Sequence, residues 1–307
     1  MITAAITPAV SYAEEQTQPY FQEIDPREPL DPWMQSFAIT EKLYEGKSDF
    51  QDILIFENSR FGRMLALDGV VQTTEADEFI YHEMIVHVPM LTHPEPKKVL
   101  IIGGGDGGSL REVLRHKTVE QVTMVDLDGQ VVDLCKKWLP NHSSGAFDDQ
   151  RVKLVIQDGT QFVKETQDTF DVIICDTTDP IGPGKVLFSS EFYADCKKIL
   201  NPEGLISMQN GIPFTNGLEI TSVFANIAHE FKHVSFYVAP VPSYLGGYLA
   251  FGIASEKYSN YALSSKKLSK RLHSVKGSMR YYNPKIHKAS FALPEYVNQY
   301  IPKIKKK

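Results

Sequence analysis

Cysteine is scarce in this chain. Cys135, Cys175 and Cys196 are the only three among 307 residues, far apart and in no CxxC spacing. So small and odd a count gives neither a disulfide framework nor a cysteine-built zinc site, and it suits a reducing compartment. Long apolar runs are also missing, since no stretch approaches the roughly 20 residues that span a bilayer. Basic residues are rare at the start: the first 30 residues hold Arg27 against Glu14, Glu15, Glu23, Asp25 and Glu28. Secretory leaders and transit peptides carry the opposite balance, so a cytoplasmic protein is expected. Net positive charge is absent as well. A formal charge of -6 speaks against nucleic acid or an anionic membrane as partner; it suits a cationic ligand, and equally an ordinary soluble protein. There are no internal repeats and no low-complexity tract.

What is present is a chain of 42% hydrophobic and 11% aromatic residues, enough for a substantial core. Residues 1–35, with many Pro, Gln and acidic residues and little periodicity, read as a loose extension. Residues 36–90 read as a small antiparallel β domain, with Ile53, Ile55, Met64 and Ala66 on alternating strands and "NSRFG" and "LDG" as turns. "ADEFIYHEMIVHVPML" places Phe79, Ile80, Met84 and Val88 at helical spacing, with Pro89 closing the helix. From residue 91 to 307 the buried-strand runs "KVLIIG", "QVTMVDLD", "VKLVIQDG", "FDVIICD" and "GLISMQNG" alternate with helical segments. That succession predicts a doubly wound, Rossmann-like α/β sheet. "VSFYVAPVP" and "GYLAFGIAS" suit a terminal hairpin.

The glycine pattern Gly103, Gly105 and Gly108 follows the first of these strands and opens a helix, with Asp126 at the end of the second strand. An acid so placed commonly accepts from ribose hydroxyls, so a nucleoside-containing ligand is expected, either a dinucleotide or S-adenosylmethionine and its relatives. Asp106, inside the loop, helps to separate the two. A pyrophosphate would be repelled there, whereas an ammonium or sulfonium would be attracted. The other reading of Asp106 is a cap for the following helix. Asp158 closes the third strand, and Asp176 and Asp179 follow the fourth. Singly, each could be an ordinary turn or cap. Together, five carboxylates at strand ends, with no Lys or Arg inside these motifs, point to a polycationic substrate. Acids spread over four strands lie too far apart for a compact metal site, and none is expected.

"LDGVVQTTEADEFIYHEM", "GGGDGGSLREVLRH", "CDTTDPIGP" and "YYNPKIHKASFALP" resemble the spermidine synthases of the bacterial aminopropyltransferase type, a resemblance that runs over residues 36–300. It implies a small N-terminal β domain before a methyltransferase-like domain. The implied reaction moves the aminopropyl group of decarboxylated S-adenosylmethionine, a co-substrate rather than a cofactor, to putrescine, giving spermidine and methylthioadenosine. The resemblance assigns catalysis to Asp176 and Tyr81. Donor binding falls to Gln51, His82, Asp106, Asp126 (where the family more often has Glu) and Asp158, and acceptor binding to Asp179, Gln209 and Tyr244. Trp33 stands near the place of a pocket tryptophan, without the family's surrounding pattern. A homodimer or homotetramer is implied. Other acceptors (cadaverine, agmatine or spermidine), a methyltransferase using S-adenosylmethionine, and a non-catalytic nucleoside or polyamine sensor remain the alternatives.

Overall fold

Alternating apolar residues need a face to cover, and continuous apolar runs need cover on both faces; the two sheet types of this chain follow from that difference. The computed structural model describes residues 18–24, 33–180, 182–259 and 261–302. Strands β1 (Tyr20–Ile24) and β2 (Met34–Ala38) pair antiparallel. Strands β3 (Glu41–Lys47), β4 (Asp52–Asn58), β5 (Gly62–Leu67) and β6 (Val70–Thr74) form a four-stranded antiparallel meander. Its last hairpin turns on Asp68 and Gly69, with φ of 48° and 78°. Two successive left-handed residues match the right-handed twist of the flanking strands.

Helix α1 (Glu78–Thr92) leads into the large sheet. Strands β7 (Lys98–Gly103), β8 (Gln121–Asp126), β9 (Val152–Ile156), β10 (Phe170–Asp176) and β11 (Leu200–Gln209) are parallel; β12 (His233–Pro240) and β13 (Tyr248–Ser255) add an antiparallel hairpin. The spatial order is β12-β13-β11-β10-β7-β8-β9. The helices between them are α2 (Gly108–Leu114), α3 (Gly129–Trp138), α4 (Pro140–Ser143), α5 (Gly159–Glu165), α6 (Ser190–Lys198) and α7 (Pro213–Glu230). Val99 and Ile101 of β7 pack with α1 and α2, while Leu100 and Ile102 pack with Phe162, Phe192 and Tyr193 on the other face. The chain moves outward from β7 to β9 and then returns to β10 on the far side of β7. The order therefore reverses between β7 and β10, where an open α/β sheet leaves a crevice at its carboxyl ends.

The meander is held over that crevice by Ile53, Ile55, Leu65 and Leu67 packed on Val131, Cys135 and Leu139. Two local expectations are corrected. Residues 20–24, read as part of a loose extension, form a strand; the remainder of that extension before residue 18 lies outside the described residues. Helix α1 also does not stop at Pro89 but runs three residues further, to Thr92. Burial of nearly the whole helix surface outweighs the one backbone donor that proline removes. Among the described residues no helix is long and apolar enough to cross a membrane.

Candidate active site

The switch point between β7 and β10 brings the glycine loop against the end of the fourth parallel strand. Gly104 N donates to the Asp176 carbonyl at 2.8 Å. A Cβ on Gly103, whose φ is +82°, would stand 2.1 Å from that carbonyl oxygen. The loop lies this close only because the residue is glycine. Gly105 has the same relation to the second strand, where a Cβ would come within 2.9 Å of Asp126 Oδ2.

A cavity of about 380 Å³ opens here, walled by the large sheet below and the meander above. All ten residues put forward from the sequence line it: Gln51, Tyr81, His82, Asp106, Asp126, Asp158, Asp176, Asp179, Gln209 and Tyr244. Eight carboxylates face it, with Glu23, Asp68 and Asp128 joining the expected five, and no Lys or Arg is among the described lining residues. Among the described residues no three His, Cys, Asp or Glu side chains converge as a metal ion would require. The acids are instead strung along the cavity.

The centre is the pair Tyr81 and Asp176. The Tyr81 hydroxyl donates to Asp176 Oδ1 at 2.5 Å. Burial, and after it the Asp176 charge, pushes the phenol well up, so it stays a donor. Burial also raises the Asp176 carboxyl, against the pull of His82 and with the push of Asp106. A carboxylate that binds a proton more readily than usual, aimed into a cavity, suits a general base.

Beside it runs a chain of alternating charge. His82 Nδ1 lies 2.6 Å from Glu78 Oε2, and His82 Nε2 lies 3.3 Å from Asp106 Oδ2. Glu78 in turn meets the Arg111 guanidinium at 2.8 Å. Burial opposes every one of these charges, but the neighbours win. His82 is raised well above the ordinary range, Glu78 is lowered to about 2, and Asp106 is held well below the carboxylate range. His82 is therefore an imidazolium between two carboxylates. The other oxygen of Asp106 accepts from Gly108 N at 2.7 Å, so the residue ties down the start of α2 while it also lines the cavity.

Asp126 accepts from Asp128 N at 2.8 Å, and burial pushes its carboxyl up to about 6. The folded protein thus holds this proton more tightly than the unfolded chain, and the group costs stability as pH climbs from about 4 through 6. Asp126→Asn is expected to stabilise the ligand-free protein by about 3 kcal/mol at pH 8 and to leave it unchanged below pH 4. Thermal melts at the two pH values check this; equal shifts at both would refute it.

Gln51 does not stand alone. Its amide donates to Asp128 Oδ2 at 2.9 Å, as the Ser48 hydroxyl does at 2.6 Å, while Asp128 Oδ1 caps α3 through Gln130 N and Val131 N. Asp158 caps α5, accepting from Thr160 N and Thr160 Oγ1, each at 2.7 Å. On the opposite limb Gln209 Nε2 reaches Asp179 at 3.4 Å, and the Tyr244 hydroxyl donates to Gln72 O at 2.7 Å. Trp33 does not line the cavity; it is 38% exposed and packs edge-on against Phe214, ring centroids 5.7 Å apart. Sequence reasoning missed Glu23, Asp68, Asp128 and Glu78 as members of the site. The signal for Asp128 was the "DGQ" helix start inside "VDLDGQ", and for Glu78 its spacing of four from His82 on α1.

Residues 78–265 match the family model for the spermine/spermidine synthase domain, and residues 20–75 match that for the spermidine synthase tetramerisation domain. The chain is 53% identical to the polyamine aminopropyltransferases of Salmonella arizonae and Klebsiella pneumoniae over 268 residues, 87% of this chain and 94% of each of theirs. Among solved structures it resembles a spermidine synthase in complex with the transition-state analogue AdoDATO, with TM-score 0.87 and 38% identity over 93% of this chain and 96% of that one. The Thermotoga maritima spermidine synthase matches with TM-score 0.84 and 36% identity over 93% and 95%. The chain belongs to the spermine/spermidine synthase family.

Proposed function

We propose that this chain transfers the aminopropyl group of decarboxylated S-adenosylmethionine to putrescine. The observation that carries the reading is the Tyr81–Asp176 pair, 2.5 Å apart, in a cavity of eight carboxylates and no described Lys or Arg. A sulfonium and two ammonium groups are the charges such a cavity accommodates.

The sulfonium carbon needs no added activation, since its sulfur departs with the bonding pair as a neutral thioether. The shortage is of nucleophile, because an alkyl amine has a pKa near 10, like that of lysine. Asp176 takes the proton from one putrescine nitrogen, and the Tyr81 oxygen helps to align the lone pair on the carbon. The N–C bond forms as the C–S bond breaks. Asp179, with Gln209 and Tyr244, holds the distal ammonium and so fixes which nitrogen is deprotonated. Asp106 holds the primary ammonium of the donor arm, Asp126 the ribose hydroxyls and Asp158 the adenine amino group, with Gln51 and His82 completing the donor side. The match of residues 20–75 to a tetramerisation domain supports a homo-oligomer, dimer or tetramer.

The test is a product assay by mass spectrometry. Decarboxylated S-adenosylmethionine is paired with putrescine, cadaverine, agmatine or spermidine in separate reactions, with S-adenosylmethionine as control donor. Spermidine and methylthioadenosine are expected from putrescine and the decarboxylated donor. A methylated product would instead make the chain a methyltransferase, and nucleoside binding without turnover would make it a sensor.

A further inference from the structure

Asp176 has two oxygens and the mechanism above uses one. Oδ1 receives the Tyr81 hydroxyl; Oδ2 is buried and has no hydrogen-bond partner among the described residues. A second orphan lies beside it. Ser109, the second residue of α2, is 0% exposed and its Oγ also lacks a hydrogen-bond partner among the described residues. A serine near a helix start commonly returns its hydroxyl to the backbone, and this one does not. The glycine loop explains how the two meet. Gly104 N is bound to the Asp176 carbonyl, a Cβ on Gly104 would sit 2.9 Å from Asp176 Oδ2, and α2 begins four residues later. The hydroxyl is near enough to lower the Asp176 pKa, yet outside hydrogen-bonding geometry in this structure.

We infer that Ser109 is a positioning residue for the base: its hydroxyl closes onto Asp176 Oδ2 when the carboxylate is charged, leaving Oδ1 and Tyr81 to meet the amine. The inference rests on Asp176 being the base. One orphan hydroxyl and one orphan carboxylate oxygen satisfy each other, and each buried alone is costly. The other groups that face Asp176 are Tyr81 and His82 of α1, Asp106 of the loop, Asp126 at the end of β8, Cys175 on its own strand and Tyr244. Of these only Tyr81 is hydrogen-bonded to the carboxylate. Ser109, which is not among the residues lining the cavity, supplies a neutral donor. It favours the charged base without adding a cation that would repel the substrates.

The sign follows directly. Without the hydroxyl the charged form of Asp176 loses a donor, the proton is held more tightly, and the acid limb of the kcat profile moves to higher pH. The experiment measures kcat against pH at saturating donor and putrescine for the parent protein, Ser109→Ala, Ser109→Cys and Asp176→Asn. Ser109→Ala is expected to move the acid limb up by about one pH unit, with plateau kcat within about 3-fold and KM for putrescine little changed. Ser109→Cys, a weaker donor of similar shape, should fall between parent and Ala. An Ala limb that overlays the parent's, or a uniform loss at every pH, overturns the inference. Failure of the base reading looks different, because Asp176→Asn would then retain most of its kcat.

Discussion

Asp176→Asn is expected to lower kcat about 1,000-fold, within the range that general base catalysis contributes, while methylthioadenosine still binds within a few-fold of the parent. The amide keeps an oxygen for the Tyr81 hydroxyl, so the 2.5 Å contact and the cavity wall survive. What it loses is the ability to accept a proton from an amine that is almost wholly protonated at neutral pH. Burial already raises the Asp176 pKa, so the neutral amide is also a better tenant of the site than the carboxylate. The melting temperature at pH 8 should hold or rise. That combination, a stable protein with an intact nucleoside site and no turnover, separates a lost base from a damaged fold. Single-turnover kinetics and calorimetry with methylthioadenosine read the two halves. Retention of more than about a fifth of kcat would remove Asp176 from the role of base and leave alignment to carry the rate.

Much of this site was legible because its geometry is carried by short local segments. Asp106, Asp126, Asp176 and Asp179 each follow a buried apolar run, and Asp158 follows the half-exposed edge strand β9; a parallel sheet brings the ends of such strands to one edge. The apolar spacing of Phe79, Ile80, Met84 and Val88 gave helix α1, and the family resemblance, not the spacing, singled out Tyr81 and His82 on it. The parts that were not legible depend on partners far away in sequence. Strand β1 has five residues, and its stability comes from pairing Tyr20 with Ala38 and Ile24 with Met34. Nothing within "YFQEI" announces that pairing. Glu23 faces the cavity only because β1 pairs there. Asp128 reads locally as a helix cap, which it is. That it also holds Gln51 and Ser48, some 80 positions earlier, depends on the meander docking over α3. Asp158 shows the reverse: its local role as the cap of α5 is plain in the structure, and the donor role proposed for it rests on its place among the residues lining the cavity.

The second large effect concerns which donor the loop admits. Asp106→Asn is expected to narrow the preference for decarboxylated S-adenosylmethionine over S-adenosylmethionine by about 100-fold. The two donors differ by one carboxylate on the arm that Asp106 faces. In the parent protein Asp106 is held in its charged form by His82 at 3.3 Å. It attracts the ammonium that both donors share and repels the carboxylate that only one carries. Two unit charges about 4 Å apart interact by about 4 kcal/mol at an effective dielectric of 20, and the imidazolium beside Asp106 cancels part of that. The amide removes the repulsion and also unmasks the imidazolium. His82 keeps Glu78 at 2.6 Å but loses its second carboxylate, so a positive charge now faces the donor arm. Decarboxylated donor should therefore weaken, and S-adenosylmethionine should bind as well as before or better. Titration calorimetry with each donor at low and high salt measures both, and the change should shrink as salt screens the pair. Equal loss of affinity for the two donors would mean that Asp106 serves the fold of the loop through Gly108 N and takes no part in choosing the substrate.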